Sequence, residues 1–225
     1  MSAGLMASYA TARSNVEAAG NPARAHGNIA GCSAGAYGTW YQSEESRLEA
    51  YADTWMQYGW FNNNVEGDQL PTVNYNAHGW AISSELGYAL PLSGDWVFVP
   101  QGQLIYVDYR EKSLTEPNGT HVDGANSNGV TTRLGLRLQR TLQRSSGKKT
   151  QFYATANWRH PSVGSTVSFN QLPVGSLYPA NRYQLKLGVN GDLGKRWTAW
   201  SNVSGAWGAQ SYHEYIVRLG VKYAW

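Results

Sequence analysis

The chain has 225 residues, with 18 Lys and Arg against 15 Asp and Glu, a net charge of +3 and only 15% charged residues. Soluble domains carry roughly 25%, and without a basic run this balance gives no footing for nucleic acid. One cysteine, Cys32, excludes an internal disulfide or a cysteine-based zinc site, and no apolar stretch approaches the ~20 residues of a membrane helix.

The dominant period is two. It predicts ten strands at about 2–12, 27–41, 48–62, 76–90, 96–109, 129–140, 151–159, 182–191, 196–207 and 214–225. The second is rich in Gly and Ala, and its facing stays open. In the third, Ala50, Ala52, Thr54, Met56, Tyr58 and Trp60 alternate with Glu49, Tyr51, Asp53, Trp55, Gln57 and Gly59; Tyr51 and Trp55 blur the polar side. The fourth is cleaner, with Trp80, Ile82, Ser84, Leu86, Tyr88 and Leu90 opposite Glu85 and small residues. In the fifth, Pro100 predicts a bulge or a locally broken ladder. The sixth sets Leu134, Leu136 and Leu138 against Arg133, Gly135 and Arg137, and the eighth sets Leu185 and Leu187 against Lys186 and Gly188. The last runs from Tyr215 to Trp225, its apolar residues alternating with Arg218, Gly220 and Lys222.

Mean hydropathy is −0.47, yet aromatics reach 13%. Few charges, many aromatics and one charged strand face together point to a polar interior and an apolar exterior, the inversion of a membrane β-barrel. Backbone groups in lipid must all be paired, so such a sheet has to close. Long connections at 13–26, 63–75, 110–128 and 160–181 alternate with shorter ones at 42–47, 91–95, 141–150 and 192–195. Outer-membrane barrels show that asymmetry between their two ends. A soluble two-sheet sandwich uses the same alternation and stands as the alternative.

Several segments, in order along the chain, resemble a known family. They are Tyr37-Gly38-Thr39-Trp40-Tyr41, the run from Tyr51 to Asn63, Pro100-Gln101-Gly102-Gln103-Leu104-Ile105-Tyr106, Thr131-Thr132-Arg133-Leu134-Gly135, and the close Arg218-Leu219-Gly220-Val221-Lys222-Tyr223-Ala224-Trp225. They are similar to the C-terminal β-barrel domain of autotransporters (type V secretion), in the AIDA-like adhesin group. The resemblance implies an all-β, antiparallel, up-and-down transmembrane β-barrel, with about ten of the family's twelve strands spread over residues 1–225. It implies that the chain begins near the family's third strand, without the first two strands, the pore helix, the passenger or the signal peptide. It also implies a location in the bacterial outer membrane and a role as translocator, anchoring and exporting an N-terminal adhesin-like passenger without catalysis or cofactor. The implied partners are outer-membrane lipid, the barrel-assembly machinery, periplasmic chaperones and the chain's own passenger. A general outer-membrane pore, a barrel enzyme and a soluble carbohydrate-binding sandwich are the alternatives.

Three groups of residues are candidates for function. Arg218, Gly220, Tyr223 and Trp225 fit the terminal assembly signal of outer-membrane barrels, a strand able to pair by β-augmentation. Glu49, Asp53, Glu85, Arg133, Arg137, Lys186, Arg218 and Lys222 fall on the polar parity and are expected to face a lumen, since Arg or Lys facing lipid costs about 2–4 kcal/mol at the midplane. Trp40, Trp60, Trp80, Trp96, Trp158 and Trp225 lie near strand ends, as an aromatic girdle requires; carbohydrate stacking is the competing explanation. Gly31-Cys32-Ser33-Ala34-Gly35 matches the G-x-S-x-G pattern of serine hydrolases, but a strand pattern continues through it with no following helix, so catalysis is not expected. His26, His78, His121, His160 and His213 show no metal-binding spacing, and no metal is expected.

Overall fold

The computed structural model describes residues 1–17, 24–43, 45–68, 71–115, 119, 121–123, 126–143, 147–162, 167–169, 172–174, 179–194 and 196–223. The alternating segments form strands β1 (Ser2–Glu17), β2 (Arg24–Tyr41), β3 (Glu49–Gly67), β4 (Val73–Pro91) and β5 (Trp96–Glu111). Two short strands follow, β6 (Leu114–Thr115) and β7 (His121–Asp123), then β8 (Asn126–Gln143) and β9 (Lys149–Pro161). After β10 (Val167–Phe169) and β11 (Leu172–Val174) come β12 (Arg182–Asp192), β13 (Trp197–Gly208) and β14 (His213–Tyr223). Ten of these make one antiparallel sheet in the order β1-β2-β3-β4-β5-β8-β9-β12-β13-β14. β6, β7, β10 and β11 make a second, small sheet that joins the connection after β5 to the one after β9.

Each large-sheet strand corresponds to one expected from the sequence. The ends differ most around the first four. β1 to β4 run on through 13–17, 24–26, 63–67 and 73–75, segments expected to be loop. There the chain is polar on both faces, as at Asn64, whose Nδ2 donates to Asn74 Oδ1 across the ladder at 2.9 Å. A strand polar on both faces carries no period-two signal, although its backbone pairs like any other. Long connections therefore remain only around the small sheet. Between β13 and β14 the turn is tight, with Gln210 and Ser211 both at positive φ, the geometry that matches strand twist in a two-residue hairpin. Pro100 interrupts the β4 ladder at Tyr88 and Ala89 without shifting its register. No bulge forms, because a missing N–H removes a bond but inserts no residue.

The large sheet curls into an open half-barrel. Hydrogen bonds between second-neighbour strands demand that curl, since adjacent strands stand about 4.8 Å apart and a flat sheet would hold such side chains too far from each other. Asn63 of β3 donates to Tyr109 of β5, and Arg133 of β8 pairs with Glu85 of β4. The concave face is polar and buried: Ser83 is 1% exposed, Gln184 3% and Arg133 8%. The convex face is apolar and open, with Leu86 63% exposed and Leu134 53%. A two-sheet sandwich would bury its apolar side; this single sheet buries its polar one. Among the described residues β1 and β14 each pair on one side only.

Candidate functional site

The concave face is the candidate site, and register places its residues. β3 and β4 pair Asp53 with Glu85, β4 and β5 pair Glu85 with Gln103, and β5 and β8 pair Gln103 with Arg133. Around these a hydrogen-bonded belt crosses the sheet. Thr39 donates to Asp53 at 2.6 Å, and Tyr51 donates its hydroxyl hydrogen to Glu85 at 2.6 Å while accepting from Gln101 at 2.7 Å. Gln103 donates to Ser83 at 2.7 Å. Arg133 is the hub: Nε donates to Gln103 at 2.6 Å, Nη1 to Asn157 at 2.7 Å, and Nη2 forms an ion pair with Glu85. Asn157 donates to Gln184 at 3.1 Å, and Gln184 to Ser204 at 3.4 Å. The belt thus runs from β2 to β13, and buried polar groups are tolerated there because they satisfy one another.

Arg137, Lys186, Arg218 and Lys222 lie on the same face. Arg137 donates to Gln151 at 3.2 Å and lies 4.0 Å over the Tyr153 ring, a cation–π contact. Lys186 stands between Thr155 and Ser204, Arg218 opposite Asn202, and Lys222 opposite Thr198. Glu49 begins β3 opposite Ala89 of β4, with a positive φ of 68°. Large aromatics also occupy this face where a neighbouring strand offers glycine. The Trp200 indole covers Gly220, leaving no room for a Cβ there.

The tryptophans divide by end. Trp40 and Trp96 are exposed on the convex face toward the short connections, and Trp60 and Trp80 toward the opposite rim. Trp158 is on the convex face at that same opposite rim, stacked with His160 and donating to Asn181 at 2.9 Å. Of the terminal quartet, Arg218 and Gly220 share the concave face, while Tyr223 is convex, 4.8 Å from the Trp197 ring. Trp225 lies outside the described residues. Ser33 is in the middle of β2, its Oγ 2.7 Å from Ser8 Oγ, with no turn to expose it as a nucleophile. Among the described residues no group of His, Cys, Asp and Glu could hold a metal ion.

Sequence reasoning passed over Tyr51, Asn157, Arg159, Arg182, Gln184 and Trp200 as site residues. Parity along each strand already marked the face of several. The usable further signal was an aromatic on the polar parity facing a glycine one strand away, as Trp200 faces Gly220.

A sequence profile described as "Autotransporter beta-domain" matches residues 1–204. The chain belongs to the autotransporter β-domain family. It is 34% identical over 98% of its length to protein YuaQ of Escherichia coli (strain K12), and 31% identical over 98% to the autotransporter adhesin AIDA-I of Escherichia coli. Those matches span only 17% of YuaQ and 18% of AIDA-I. The crystal structure of the transport unit of AIDA-I superposes with a TM-score of 0.87 at 29% identity, covering 99% of this chain and 75% of that one. Membership in this autotransporter family locates the chain in the bacterial outer membrane and makes it a translocator domain, a transport structure and not an enzyme.

Proposed function

We propose that this autotransporter β-domain works as a transmembrane barrel that anchors and exports an adhesin-like passenger joined to its N-terminal side. Its ten long strands supply ten of twelve barrel staves, and two further strands between β1 and β14 complete the wall. Residues 1–225 then belong to one translocator unit. The carrying observation is the inverted partition of side chains: Arg133, Asn157 and Gln184 buried on the concave face, with leucines exposed on the convex one. In water that partition is unfavourable by about 25 cal/mol per Å² of exposed apolar surface; in a bilayer the same leucines are at home.

In this reading Glu49, Asp53, Glu85, Arg133, Arg137, Lys186, Arg218 and Lys222 line the lumen and contact whatever passes along it. Trp40, Trp60, Trp80, Trp96, Trp158 and Trp225 form the girdle against lipid headgroups. Arg218, Gly220, Tyr223 and Trp225 present the last strand to the barrel-assembly machinery after delivery by periplasmic chaperones. The open backbone edge of β14 suits such strand addition.

The test is insertion. The chain extended by the two further strands and refolded with liposomes should float with them and migrate in gels as a heat-modifiable band. Protein that stayed monodisperse in detergent-free buffer, with no heat-modifiable form, would overturn the reading.

A further inference from the structure

The convex face changes character stepwise toward the rim that carries the small sheet. In register across β3, β4 and β5 stand Met56, Ile82 and Tyr106, then Tyr58, Trp80 and Asp108, then Trp60, His78 and Arg110. The next row holds Asn62, Asn76 and Lys112, whose backbone N–H continues the ladder by donating to Asn76 O at 3.3 Å. Asn64 and Asn74 follow, joined through their side chains at 2.9 Å. One patch thus passes from apolar to aromatic to cationic to amide.

Its aromatic step is a packed platform. Tyr58 meets Trp60 at 4.8 Å and Trp80 at 4.6 Å between ring centroids, both edge-on, and both indoles stay exposed. Arg110 is held beside the platform, its Nε and Nη2 each donating to Asp108 at 3.1 Å, while its side chain remains 63% exposed. A guanidinium held by two of its five N–H donors keeps the others for a second oxyanion. Lys112 adds an exposed cation. Among the described residues Asp108 is the one carboxylate in these rows. Glu66 lies further out on β3, opposite His26, and Glu111 is on the concave face, within reach of Asn63.

We propose that this patch binds a phosphorylated glycolipid of the outer leaflet, its phosphate on Arg110 and Lys112, its sugar against Trp60 and the asparagines, and its acyl chains along the apolar rows below. β5 leads from Arg110 into the connection that holds the small sheet, and long connections mark the external side of an outer-membrane barrel. Two cations against one carboxylate favour an anion, and phosphate suits both an arginine fork and a lysine ammonium. Height selects the kind of lipid. From Trp60 to Asn64 the strand rises roughly 14 Å, so a glycerophosphate head would end near the cations, whereas a phosphosugar reaches amides able to bond its hydroxyls. The proposal rests on the barrel reading and names the lipid that its outer girdle meets.

The experiment uses the barrel completed by two further strands, purified in detergent, with native mass spectrometry following bound lipid through a titration. Bisphosphorylated lipid A should bind about 10-fold more tightly than phosphatidylglycerol, and lipid A stripped of phosphate should lose that advantage. Arg110→Gln combined with Lys112→Gln should weaken lipid A binding about 10-fold, and Lys112→Gln alone or Trp60→Ala about 3-fold. Arg140→Gln removes a cation beside Trp96 at the other rim and should change nothing. Lys112 is exposed beyond the end of β5, so its single variant carries the test if the double variant does not fold. Equal affinity for phosphatidylglycerol and lipid A, or wild-type affinity in the Gln variants, would overturn the proposal. Displacement of lipid A by equimolar inorganic phosphate would also overturn it, showing a small-anion site. A barrel that inserts into liposomes yet does not prefer lipid A refutes this inference alone; one that never inserts removes the barrel reading and this inference with it.

Discussion

Trp197 and Trp207 stand on the same convex face of β13, at opposite ends of one strand, and both are half-exposed. At ~3.4 Å per residue they are roughly 34 Å apart along the strand, and a barrel tilt of about 40° brings that to roughly 26 Å across the membrane. An outer-membrane apolar band is about 25 Å tall. The sequence reading named neither residue, yet together they span the interval a girdle pair would occupy. Val203 lies between them on the same face.

Depth should therefore govern the cost of a charge on this strand. Val203→Arg is expected to destabilise the bilayer-inserted form by about 2–4 kcal/mol, and Trp207→Arg by about 0–1 kcal/mol from its charge. Denaturant titration of the barrel completed by two further strands and refolded into liposomes measures both. Equal costs would contradict a lipid-facing β13.

Leu136 and Arg137 are adjacent in sequence and on opposite faces. Leu136→Arg should impair insertion, read as loss of the heat-modifiable band. Arg137→Leu should leave insertion intact and change single-channel conductance in a barrel completed by two further strands. The reverse pattern would mean that the two faces have been assigned the wrong way round.

The Trp200 indole occupies the space that a side chain at Gly220 would need. Gly220→Val should cost about 1–3 kcal/mol, the usual penalty for overpacking. Adding Trp200→Ala should recover much of that loss, so the double-mutant cycle should show strong coupling. Simple additivity would show that the indole is not what excludes a side chain there.

Trp225 tests the assembly signal. In a longer parent carrying the preceding strands and a passenger, Trp225→Asp should reduce the amount of barrel in outer-membrane fractions. Equal amounts would show that the terminal aromatic has no part in assembly.

The ten long strands were legible in the sequence, and so was the facing of those with clean alternation, because alternation is local: Leu134, Leu136 and Leu138 against Arg133 and Arg137 reads the same on an isolated segment as in the sheet, whereas the Gly- and Ala-rich β2 left its facing open. The outer ends of β3 and β4 were not legible, since their asparagines are polar on both faces and only backbone pairing reveals the strand. No local pattern could place Glu85 on Arg133, which are 48 residues apart with β5 between them. Nor could it align Arg133, Arg159 and Arg182 in one row. Those neighbours depend on register between distant segments and on the curl of the sheet. Residue order therefore determined which side chains share a face, and the tertiary structure alone decided which of them meet.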